Sequence, residues 1–179
     1  MGDEKRTRLV FLGYDDADEA ESALATLEED IKDKEVVVED WAIIHKEPGG
    51  EMSIRSDKKA DPGAGHGAKV GGTAGAILAV LAGPVGFGAV VGGAAIGAVA
   101  SAVRDTGFKN KDIDEVSRLM ADGRSGIMIA VPLAGAERFD EYAASSRLYE
   151  RSERHHEADI VPGNDFQKAL ADYRAHEED

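Results

Sequence analysis

The chain has no cysteine among its 179 residues, so disulfides, thiolate metal sites and a cysteine nucleophile are all excluded. Aromatic residues make up 6% of it, with one tryptophan, Trp41. Basic residues are scarce, 21 Lys and Arg against 35 Asp and Glu, for a formal net charge of −14. That balance argues against non-specific nucleic-acid binding, which needs a basic footprint to release counterions. The first residues, MGDEKRTRLVFLGYDD, hold no long apolar core and no small-residue cleavage site, so no secretory signal is expected and the expected location is cytoplasmic.

The most telling absence is local. Residues 70–103 contain no charged side chain across 34 positions, in a chain that is 31% charged. The run is built mainly from Gly, Ala and Val and is interrupted by Gly83 and Pro84. Twelve of the chain's 21 glycines lie between Gly63 and Arg104. Gly63, Gly67, Gly71 and Gly75 are spaced by four, a register that Ala79 and Gly83 continue; Gly93 and Gly97 repeat the spacing, and Gly88 and Gly92 form a parallel stripe. Four-residue spacing lines small residues along one helical ridge, where a second backbone can approach closely. Each interior helical glycine costs roughly 0.5–1 kcal/mol relative to alanine, so a lone helix of this composition is unstable without such a neighbour.

The expectation is a folded-back helical hairpin over 63–104. Its small-residue positions, Gly67, Gly71, Gly75, Gly83, Pro84, Gly88, Gly92, Gly93 and Gly97, are the candidate residues for oligomerisation or membrane contact. Lys58, Lys59 and Lys69 precede the run and Arg104, Lys109 and Lys111 follow it. Residues 63–111 carry 4 basic against 1 acidic residue, while both flanking stretches are strongly acidic. A hairpin would bring both basic flanks to one side, which suits an anionic cytoplasmic leaflet; the same lysines would also solubilise the ends of a buried hairpin. A full span needs about 20 apolar residues, and each half of the run falls short of that. A thin or re-entrant membrane hairpin, the helical core of a soluble oligomer, and packing within the chain itself all remain open.

Around the run, the pattern is α+β. A short apolar run over 8–14 reads as a strand, and Asp15 or Asp16 caps a following helix with Ala20, Ala23, Leu24, Leu27 and Ile31 on its buried face. Residues 35–46 and 51–57 read as an antiparallel pair joined by a turn at Pro48, Gly49 and Gly50. A short helix opens at Asp112 and closes at Gly123, and a fourth strand spans 125–133. The order β-α-β-β-α-β predicts a ferredoxin-like split βαβ sheet over 8–133, one face covered by two helices, with the hairpin inserted. Residues 134–179 are expected to form a C-terminal helical extension.

No constellation argues for chemistry. His155, His156, Glu157 and Asp159 offer metal-type ligands, but adjacent histidines on a helix diverge by about 100° and do not converge on one ion. Asp15, Asp16, Asp18 and Glu19 are explained by helix capping. His45 and His66 look isolated, Trp41 is expected to be a core or sheet-face anchor, and the glycine pattern lacks the Gly-Lys-Ser/Thr ending of a phosphate loop. No catalytic residue, cofactor or metal is therefore expected.

The chain resembles the bacterial proteins grouped as domain-of-unknown-function family 1269, some described as membrane proteins and others as general-stress-like. The resemblance rests on LVFLGYDDADEAESAL, the β-hairpin after it, the glycine-rich run with its GPVG at 83–86, and DTGFKNKDIDEVSRLMADGRSGIMIAV at 105–131. It covers roughly residues 8–133. It implies a ferredoxin-like scaffold, a glycine-rich hairpin and membrane or self-association, and it brings no catalytic residues. The expected function is that of a non-enzymatic, self-associating protein, its partner another copy of itself, inner-leaflet lipid, or both. The alternative is a soluble ferredoxin-like module that senses a ligand.

Overall fold

The structure, a computed structural model, describes residues 6–48, 52–56, 74, 105–119, 124–161, 168 and 172. The nine candidate positions of the uncharged run, Gly67, Gly71, Gly75, Gly83, Pro84, Gly88, Gly92, Gly93 and Gly97, lie outside the described residues, as do His66 and all of the expected helical hairpin except Ala74.

Among the described residues, five strands form one antiparallel sheet: β1 (Thr7–Tyr14), β2 (Asp40–Lys46), β3 (Met52–Ser56), β4 (Ser125–Pro132) and β5 (Arg154–Ile160). Their order across the sheet is β3-β2-β4-β1-β5. Among the described residues, the helices with both ends described are α1 (Ala17–Lys32), α2 (Asn110–Leu119), α3 (Ala136–Ser145) and the single turn α4 (Leu148–Arg151).

α1 forms where the sequence indicates it. Asp16 caps it, its side chain accepting from the amides of Asp18 at 2.7 Å and Glu19 at 3.3 Å. Ala20, Ala23, Leu24 and Leu27 recur every three or four positions and are buried. The helix ends in a Schellman arrangement: the Lys34 amide bonds Ile31 O and the Glu35 amide bonds Asp30 O. Lys34 occupies the left-handed position there, at φ +62°.

β1 and β2 both lie antiparallel to β4 and flank it, so they run parallel to each other with β4 between them. β3 and β4 flank β2 in the same way. Both β-α-β connections are thus split by an intervening strand. The strand order nevertheless departs from the ferredoxin-like plan, which puts the first and third strands at the centre. Here β4 is central and β3 is an edge.

Two further expectations are corrected. The extension over 134–179 is not purely helical: RHHEADI forms β5, paired along nearly the full length of β1. The backbone of β1 has an open edge after β4 has paired with it, and its hydrogen-bonding demand outweighs the charged side chains of β5. The two helices also do not share a face. Val10, Leu12 and Tyr14, Trp41 and Ile43, and Ile127, Ile129 and Val131 form a core with α1 and with Phe139, Tyr142 and Ala143 of α3. α2 lies on the opposite side, where Asp112 bonds His156 of β5 at 2.9 Å and His156 faces Phe11 across the strands.

That second face is as apolar as the first. Leu9, Phe11, Ala42, Ile44, Met128 and Ala130 lie on it, each 2% exposed or less. Asp40 sits at its β2 end, buried, and accepts a 3.1 Å hydrogen bond from the backbone amide of Ala74, which is itself fully buried.

Candidate functional site

Chemistry-bearing side chains gather at the end of the sheet where β1 and β2 finish and β4 begins. Tyr14, Ser125 and His45 are cross-strand neighbours in one row on the face covered by α1. His45 Nδ1 lies 2.7 Å from Ser125 Oγ, and His45 Nε2 lies 3.0 Å from Glu21 Oε1 on α1. Arg55 on β3 donates to the other Glu21 oxygen at 2.5 Å, and its guanidinium lies 5.6 Å from the Trp41 ring centroid. With a neutral imidazole the chain is satisfied when Ser125 O–H donates to Nδ1 and Nε2–H donates to Glu21.

A serine, a histidine and a carboxylate in series are the parts of a nucleophile relay. Two features here work against that use. Ser125 is 2% exposed, which keeps its hydroxyl from a substrate. β4 is paired on both sides, so the amides at Ser125 and Gly126 are spent in the ladders and do not form an oxyanion hole. What the row does is tie α1 to the end of β2 and β4 across the sheet.

Beside it, the Tyr14 hydroxyl is buried and has no hydrogen-bond partner among the described residues. Burial pushes the Tyr14 phenol up to about 12, with Arg151 acting in the opposite direction. Asp15, next along the chain, pairs with Arg154 at 2.6 Å and Arg124 at 3.2 Å. The Arg154 hydrogen bond holds the Asp15 carboxyl below its usual range.

A cleft of about 300 Å³ opens on the β5 side, lined by Arg8, Gly107, Lys109, Lys111, Asp112, Glu157, Ala158 and Asp159. Arg8 bonds Asp159 through two nitrogens, at 2.8 and 3.3 Å, and also lies 3.5 Å from Asp140 and 3.7 Å from Glu157. Asp112 is committed to His156 and to the Lys109 amide. The walls therefore carry opposed charges: carboxylates sharing one arginine on one side, two lysines on the other. No group of three or more metal-type ligands occurs among the described residues.

The histidine pair does diverge, by strand alternation and not by helical rotation. His155 stacks on Tyr149, with ring centroids 4.9 Å apart, while His156 faces α2. Trp41 is buried in the core as expected. His45 is not isolated, and Ser125, Glu21 and Arg55 were not foreseen, since their separations of 24 to 80 residues leave no local pattern. Asp40 did leave one, a carboxylate in phase with Val36, Val38 and Ala42.

No helix among the described residues is long and apolar enough to cross a membrane. No curated protein and no solved structure matches the chain. One family model does, over residues 64–152, a segment that starts at the approach to the uncharged run and continues through α2, β4 and α3. The match thus begins later and ends further along than the resemblance over 8–133. Residues 64–152 match the model of the family described as "Protein of unknown function (DUF1269)".

Proposed function

We propose that this is a non-enzymatic, self-associating protein. Its uncharged run drives homo-oligomerisation, attachment to the inner membrane leaflet, or both. The observation that carries the reading is the composition of residues 70–103: no charge, small residues at four-residue spacing, and Lys69 and Arg104 at its ends. Side-chain-poor ridges exclude little volume, so backbones from two copies can come within van der Waals reach. The acidic α+β sheet would serve as the head that keeps such an assembly dispersed. The burial of Ser125 favours the non-enzymatic reading.

The test is to fractionate the native protein with and without detergent and to measure the mass of each pool. Gly71→Leu and Gly93→Leu are expected to reduce the assembled mass while the sheet stays folded. An assembly of unchanged mass in both variants would refute the reading.

A second reading, a soluble ligand-sensing module, is favoured by one observation, the cleft between Arg8 and Lys111. Its opposed walls suit a small zwitterion, and calorimetric titration with free amino acids would detect one.

A further inference from the structure

The uncharged run is represented among the described residues by Ala74, and Ala74 is not facing solvent. It is fully buried, and its amide donates to Asp40 Oδ1 at 3.1 Å. Asp40 is 4% exposed and stands on β2 in phase with Ala42 and Ile44, at the rim of the second sheet face. A buried carboxylate is costly unless it is hydrogen-bonded, and a buried backbone amide needs an acceptor. The Asp40–Ala74 contact answers both requirements. It fixes a point of the run on a face made of Leu9, Phe11, Ala42, Ile44, Met128 and Ala130.

We propose that this sheet face is the docking surface of the chain's own uncharged run, with Asp40 as its anchor, and that docking in cis competes with the associations of the run in trans. The occupant is named by Ala74, the one described residue of the run, which is already seated there. Two apolar segments of one chain are at high effective concentration, so a second copy or a bilayer must displace a contact between them before it can engage the run. The competition rests on the self-association reading, whereas the docking does not.

The absence of native cysteine makes the test direct. Ala74→Cys introduces a single thiol into the full-length chain, and its rate of maleimide labelling reports how often the contact opens. Slow labelling is expected, at least tenfold below that of a thiol in unfolded protein. Asp40→Ala is expected to speed labelling at least tenfold, while Asp40→Asn, whose side-chain carbonyl still accepts the amide, stays within about threefold of the parent. Ala143→Cys, in the opposite core, serves as the control and should remain slow in every background. Labelling of Ala74→Cys at the unfolded rate in the otherwise native chain overturns the docking, even if Asp40→Ala fails to fold. Equal labelling in native and Asp40→Ala backgrounds, with the control slow, overturns the anchor.

The competition is read separately, as the fraction of protein that is oligomeric or bound to vesicles containing anionic lipid. Asp40→Ala is expected to raise it. An unchanged or lower fraction in a variant that labels fast overturns the competition. Slow, Asp40-dependent labelling in a chain that never assembles or binds vesicles leaves the docking standing and refutes the function proposed above.

Discussion

The Tyr142 hydroxyl on α3 donates a 2.6 Å hydrogen bond to Asp30 Oδ2 on α1 and so joins the two helices that cover one face of the sheet. Burial raises the Tyr142 phenol above its ordinary range, and the bond to Asp30 raises it further. Tyr142 is 9% exposed and packs on Phe139, with centroids 5.9 Å apart, so its ring is fixed independently of the hydroxyl. Tyr142→Phe should therefore lose the bond and keep the packing. Hydrogen bonds to charged groups contribute about 1.5–3 kcal/mol, and the partial exposure of this one places the expected loss near 1 kcal/mol. Urea unfolding should show a lower midpoint with an unchanged slope.

Lys34 closes the same helix in a left-handed conformation, at φ +62°. A side chain with a Cβ is strained there by roughly 1–2 kcal/mol, and glycine is the usual occupant of this position in a Schellman ending. The amides of Lys34 and Glu35 already make both bonds of the motif. Lys34→Gly relieves the strain and disturbs neither bond. A gain of about 1 kcal/mol is expected after allowing for the entropy of glycine, seen as a rise of roughly 2–4 °C in Tm.

Tyr14 presents the opposite case to Tyr142, a buried hydroxyl with no hydrogen-bond partner among the described residues. Leaving such a group unsatisfied costs about 1–3 kcal/mol, so Tyr14→Phe should stabilise the protein at neutral pH, by about 1 kcal/mol. The pH dependence gives an independent check. The folded phenol titrates at about 12 against an ordinary 10.0, so the folded state holds its proton more tightly than the unfolded chain does. The associated stability is complete below pH 10 and is lost as the pH rises towards 12. Tyr14→Phe should flatten that part of the alkaline limb, measured as the unfolding midpoint between pH 9 and 12.

These three residues also show which parts of the fold can be read locally. α1, its Asp16 cap, β1, the β2–β3 pair and β4 follow from periodicities and caps within a dozen residues, and they appear close to their expected bounds. β2 starts at Asp40 and not at 35, because Val36 turns into the core ahead of the ladder while Val37 is exposed. β5 left little trace. Its apolar residues, Ala158 and Ile160, are two in seven, and what makes it a strand is the open backbone edge of β1, more than 140 residues earlier. The row of Tyr14, Ser125 and His45 was illegible for the same reason, since strand order alone brings the three together.

The pairing of β1 with β5 is reinforced at Arg8, whose guanidinium takes both oxygens of Asp159. That hydrogen bond holds the Asp159 carboxyl below its ordinary 3.8, against the opposing effect of burial. A lowered folded pKa means stability that is present above the unfolded value and is lost as pH falls through the folded one. The Asp159 side chain is 37% exposed, so solvent screening limits the contribution to at most about 1 kcal/mol. Asp159→Asn should therefore cost less than about 1 kcal/mol at pH 7. The difference from the parent should close as the pH falls below about 4, and raising the salt concentration at pH 7 should also narrow it. A difference that persists undiminished at pH 2 would show that Asp159 acts through packing and not through its charge.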